Sequence, residues 1–140
     1  MSRYLVYFAV WLALALGFTA VVGRGAFNYY RLRKGGVLTE GIAVARKPHD
    51  QIEYSFKADK GVHTRVGIAG IGTPPVEKIA LGDKLPVYYL PQAPGISCLG
   101  DPGKLFLNEL PPVLLAALLF PSAIIAMIAF RHARAGRKSK

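Results

Sequence analysis

The chain has 140 residues, 52% of them hydrophobic, and a formal net charge of +10. That length holds at most one modest domain, and the apolar excess argues against an ordinary soluble globule because it is gathered into two uncharged runs. The charge does not mark a nucleic-acid binder: residues 24–109 carry twelve Lys/Arg against all eight Asp/Glu, and the other six cations sit in two short tails.

The first run, Tyr4 to Gly23, is 20 residues without a charge, and the second, Leu110 to Phe130, is 21. At 1.5 Å per residue each makes a helix of roughly 30 Å, the thickness of a bilayer's hydrocarbon core. Residues 1–23 are therefore expected to form a tail and transmembrane helix 1, and 110–130 transmembrane helix 2. A cleaved signal peptide fits the first run less well, because its apolar stretch exceeds the usual ~7–15 residues and no small-x-small cleavage site follows. Ala9, Ala13 and Gly17 recur every four residues, and Ser122, Ala126 and Ala129 give a comparable surface on the second helix. Small residues let membrane helices approach closely, so these positions are expected either to pack the two helices together or to dock other helices. Pro121 forfeits the hydrogen bond to the Ala117 carbonyl, and a kink is expected there. Neither run holds an ionisable residue, which weighs against a pump or channel.

Residues 24–35 read as an interfacial linker. Tyr29 and Tyr30 beside Arg31, Arg33 and Lys34 have the composition of a headgroup collar, with Arg131 and Arg134 in the same role after the second helix. Residues 131–140 form a basic tail. A basic run after a span is a topology signal, and it assigns both termini to the cytoplasm and residues 24–109 to the far side. Five cations near the spans on that side (Arg24, Arg31, Arg33, Lys34, Lys104) oppose the six in the tails, but loops beyond ~60 residues largely escape the rule.

Residues 36–100 read as an extramembrane β-domain of about five or six strands, with a linker over 101–109. "VLTEGIAVAR" (37–46) alternates Leu38, Glu40, Ile42 and Val44 with mostly smaller residues, and "KPHD" is a turn. "QIEYSFKA" (51–58) puts Ile52, Tyr54 and Phe56 on one face. "VHTRVGI" (62–68) completes a hairpin. A two-residue turn at Asp59-Lys60 would oppose Phe56 with His63 and Tyr54 with Arg65. A three-residue loop ending in Gly61 pairs Phe56 with Thr64, Tyr54 with Val66 and Ile52 with Ile68, and it is expected because it keeps one face apolar. "GIAGIGTPP" (67–75) is a Gly-rich loop without the Lys-Ser/Thr of a phosphate cradle. In "KLPVYYL" (84–90) Leu85, Val87 and Tyr89 face one way and Tyr88 the other, Pro91 ends the strand, and Pro94-Gly95 turn into "GISCL" (95–99). The expected class is thus a membrane protein of α+β type: two transmembrane helices flanking a small antiparallel β-domain, barrel-like or a compact sandwich.

The closing pattern, Gly82 then Leu85-x-Val87-x-Tyr89-x-Pro91-x-x-Pro94 and Ile96–Leu99, with the hairpin "IEYSF" and "GVHTRVG", resembles a bacterial membrane-protein family classed as domain of unknown function 3592. Leu90 stands where that family often has Asp or Asn. The resemblance implies an architecture and brings no catalytic residues; with the orientation read from the basic tails, the expected location is the bacterial inner membrane with the β-domain periplasmic.

Residues capable of chemistry are few. His49-Asp50 falls in a turn, His63 is expected on the outer face of the hairpin near Glu53, and Cys98 lies in an apolar strand where a buried thiol is inert. No set has the three or four convergent ligands of a metal site, so neither catalysis nor a cofactor is expected. The expected function is a non-enzymatic accessory or structural subunit of an inner-membrane assembly, touching membrane lipids and other subunits or copies of itself. The alternative is an anchored sensor whose β-domain binds a small molecule, an envelope component or a toxin. Tyr88, Pro91 and Pro94 are the candidate exposed docking surface.

Overall fold

The computed structural model describes residues 3–59 and 61–137. The chain runs α1 (Arg3–Val22), α2 (Arg24–Gly35), β1 (Val37–Lys47), β2 (Gln51–Ala58), β3 (Gly61–Ile68), a 3-10 turn (Val76–Lys78), β4 (Lys84–Leu90), β5 (Ala93–Leu99) and α3 (Pro102–Arg137). It divides into two compact units: Gly25–Glu109, and residues from 1–24 together with 110–140.

In the first unit five antiparallel strands lie in the order β3-β2-β1-β4-β5. The sheet curls until its edge strands β3 and β5 approach one another, a nearly closed barrel. Its interior is filled by rings and branched chains: Ile52, Tyr54 and Phe56 from β2, Leu85, Val87 and Tyr89 from β4, and Leu99 from β5. Between these strands β1 contributes its small residues. Gly41 and Ala43 point inward, while Leu38, Ile42 and Val44 are exposed. The register of β1 on β2 shifts between Ala43 and Ala45, which makes Val44 a bulge. The bore is too narrow for two bulky strands side by side, so large residues on β2 and β4 are met by small ones on β1.

The hairpin register departs from the sequence expectation. Phe56 pairs with His63, Tyr54 with Arg65, Ile52 with Gly67 and Ala58 with Gly61, the register of the shorter connection; Lys60 lies outside the described residues. His63, Arg65 and Gly67 thus share the inward register, and Val62, Val66 and Ile68 are exposed. The argument for an apolar inner face failed because β3 is an edge. Gly67 sits where a Cβ would meet the Tyr54 ring at 3.1 Å and Leu99 at 3.2 Å, so a larger residue would have to push both side chains back by a few tenths of an ångström. Arg65 reaches out of the bore, its Nη2 2.7 Å from where a Cβ on Gly95 would lie. Gly61 does take a positive φ, 120°, but it pairs with Ala58.

Two segments read as linkers are helical. Residues 24–35 form α2, and 101–109 hold the start of α3. Asp101 caps the latter: its Oδ1 accepts from the Gly103 amide at 2.7 Å, and Pro102 takes the first helical position, where its missing N–H costs nothing. Leu32 of α2 and Leu105 of α3 bury against Leu90 and Cys98 on the outside of the β4–β5 hairpin, a second core beside the barrel interior.

In the second unit α1 presents Tyr7, Trp11, Ala15 and Phe18 as its half-buried stripe, at spacings of four, four and three. On α3 the buried positions are Val113, Ala117 and Pro121. The Trp11 indole N–H donates to Ser122 Oγ at 3.1 Å, Ser122 Oγ donates to the Leu118 carbonyl at 2.6 Å, and the Phe18 and Phe120 rings stack at 5.0 Å. By length and composition both helices are able to cross a membrane.

Candidate interaction surfaces

Tyr88 is not the exposed residue expected. It is half-buried in the second core, on the outer face of β4 beneath α2 and the start of α3, and Pro91 and Pro94 are half-buried too. Sequence reading placed Val87 and Tyr89 inward, where they are, but missed the helices that cover the opposite face. Tyr29, expected among lipid headgroups, also packs on this core. Burial pushes its phenol up to about 12, helped by the nearby charge of Glu109. Tyr30, Arg31, Arg33 and Lys34 are exposed, as is Arg131, whereas the side chain of Arg134 lies outside the described residues.

The small-residue positions of α1 fall off the face that meets α3. Ala9 and Ala13 are exposed, and a Cβ built on Gly17 meets nothing within 4 Å. Ala13, Gly17 and Val21 line one wall of a shallow apolar groove of about 310 Å³, with Phe120 and Ile124 of α3 opposite. On α3, Ser122 joins the helix pair through its hydroxyl, while Ala126 and Ala129 are exposed.

The groups able to do chemistry are dispersed. His49 and Asp50 take positive φ, 61° and 56°, in the β1–β2 turn. His63 is inward rather than outward: its ring stacks on Phe56 at 5.6 Å and its buried Nε2 has no hydrogen-bond partner. Glu53 instead pairs with Lys47 at 2.9 Å. Cys98 is buried, and burial, with the charge of Asp101, raises its thiol to about 12, so it is protonated at neutral pH. No group of three or more His, Cys, Asp or Glu converges among the described residues.

Within the bore Tyr54 Oη and Ser97 Oγ share a hydrogen bond of 2.9 Å. A cavity of about 410 Å³ is an open dish on the outside of β1 and β4, lined by Leu38, Glu40, Lys84 and Pro86 among others. Glu40 and Lys84 bridge at 2.8 Å, and both are well exposed, so the pair adds little stability. No protein-family model matches the chain, and neither the curated proteins nor the solved structures contain a match to it.

Proposed function

We propose that the chain is an integral protein of the bacterial inner membrane, anchored by α1 and α3, and a non-enzymatic accessory or structural subunit of a larger assembly there. One observation carries this reading. The face that α1 turns to α3 uses Tyr7, Trp11 and Phe18, and it leaves Ala9, Ala13 and Gly17 open. In a bilayer such a stripe is where a further helix, from another subunit or a second copy, approaches closely. The β-domain supports the same reading, since its bore is filled by its own side chains and recognition falls to its outer surface. In this reading both termini are cytoplasmic, the β-domain is periplasmic, and the likeness to domain of unknown function 3592 is one of architecture.

The test is extraction of the tagged full chain in mild detergent, followed by mass spectrometry of what co-purifies. A stoichiometric membrane partner, or a dimer, lost on Ala13→Leu/Gly17→Leu while the melt is unchanged, is the expected result. A monomer without partner, indifferent to those changes, sinks the reading. The open dish over β1 and β4 favours the second reading, an anchored sensor, and saturable binding of an envelope component lost on Lys84→Ala would establish it.

A further inference from the structure

Residues 24–35 hold four cations and no acid, and they fold as a helix. Its phase sorts them. Ala26 and Leu32 are buried, and Gly25, Asn28 and Tyr29 half-buried, on one side. Phe27, Tyr30, Arg31 and Lys34 are exposed on the other, within an arc of roughly 100° at about 100° per residue. Phe27 is 60% exposed and Tyr30 44%, large aromatic areas to leave in water beside cations. Tyr30 leans on Phe106 at 6.1 Å, so its ring is held in place. Arg33 falls outside the arc, its Cδ 3.8 Å from where a Cβ on Gly103 would lie. Only Gly23 separates this helix from the apolar helix α1.

We propose that this face of α2 is a binding surface for anionic phospholipid, with Phe27 and Tyr30 at the level of the glycerol backbones and Arg31 and Lys34 on the phosphates. The occupant follows from the chemistry. Aromatic rings interleaved with cations match a headgroup layer, where rings take the apolar–polar boundary and cations the phosphates. An apolar partner protein would leave both cations unpaired, and a free anion would leave both rings in water. The surface differs from the collar read in the sequence, because it includes Phe27 and excludes Tyr29 and Arg33. It rests on the reading of α1 and α3 as membrane anchors.

The experiment uses the full chain in three steps. Carbonate washing of membranes tests the anchors alone. The chain is then placed in nanodiscs of mixed phosphatidylcholine and phosphatidylglycerol, and the lipid retained after mild detergent is counted by native mass spectrometry. Each cation near an anionic surface gives roughly a fivefold preference, so Arg31→Gln/Lys34→Gln should cut phosphatidylglycerol enrichment by about tenfold or more, and Arg33→Gln should not. Finally, a nitroxide at Phe27→Cys, on a Cys98→Ala background, should be more accessible to oxygen than to a nickel chelate. Release by carbonate defeats the anchors and the inference with them. Resistance to carbonate with equal retention in the double variant and the native chain defeats the inference alone. A nitroxide shielded from both quenchers also overturns it, because a protein then covers the face. Loss on Arg33→Gln equal to that of the double variant would show that only net charge matters, and that too overturns the assigned face.

Discussion

Gly41 faces the barrel interior with no room for a side chain, and adding one methyl there tests how the bore is filled. A Cβ on Gly41 would lie 2.6 Å from Val87 Cγ2, 3.3 Å from the Ser55 carbonyl oxygen and 3.7 Å from Phe56 Cβ. Val87 has no exposed surface, and a β-branched chain has few rotamers to retreat into. Overpacking of this kind costs about 1–3 kcal/mol. Losing glycine's freedom in the unfolded chain returns about 0.4–1 kcal/mol, so Gly41→Ala should destabilise the unit by roughly 1–2 kcal/mol, at about 4–8 °C of melting temperature per kcal/mol for a unit of this size. Val87→Ala alone removes two methyl groups and should cost roughly 2–3 kcal/mol with its cavity. The double variant joins a clash to the space that relieves it, and should recover about 1 kcal/mol or more relative to the sum. Urea unfolding of the full chain in mild detergent, followed by the near-ultraviolet circular dichroism of the buried tyrosines, measures all four corners of the cycle. Additivity within about 0.5 kcal/mol, or a neutral Gly41→Ala, would refute the account of the bore.

Tyr54 is held neutral by burial, its phenol pushed up to about 12 despite the Ser97 hydrogen bond. Because the folded value lies above the unfolded one, stability is fully present below about pH 10 and falls by about 1.4 kcal/mol per pH unit up to about pH 12; a Tyr54→Phe chain that loses stability just as steeply over that window would contradict this. The Cys98 thiol, raised likewise, should react with an aromatic disulfide reagent at pH 8 at least about a hundredfold slower in the native chain than in urea, since thiolate is the attacking form. Gly61→Val should cost roughly 1–2 kcal/mol from backbone strain alone, because open space surrounds that position; an unchanged unfolding midpoint would show the strain is absent.

The long helices were legible because absence of charge over 20 residues is a signal no tertiary contact overrides, and β2 was legible because Ile52, Tyr54 and Phe56 alternate without interruption. β4 was half legible: Val87 and Tyr89 face inward as read, but nothing local to Tyr88 announces that helices will cover it. The helix α2 was missed since its inward face is built from Ala26, Tyr29 and Leu32 among cations, with no cap residue before it. The early start of α3 was written in Asp101-Pro102, a side-chain cap followed by a residue suited to the first turn, and was overlooked beside the glycines. The β2–β3 register was misjudged for a different reason. Pattern matching asks a strand to be apolar on one side, and that rule loosens at an edge, where Arg65 has an exit and Gly67 needs no side chain.

That exit bears on how the barrel comes apart. Four of its seams are stitched by backbone ladders, while between β3 and β5 an arginine lies over Gly95 and no ladder is formed among the described residues. In the ladder strand β3 is therefore paired with β2 alone, and peeling it away breaks a single row of backbone hydrogen bonds without unpairing any other strand. The charge of Arg65 at that edge also makes it a poor template for a neighbouring chain. The amides of β3 are thus the first that deuterium should reach through partial opening, long before the β1–β4 rows exchange.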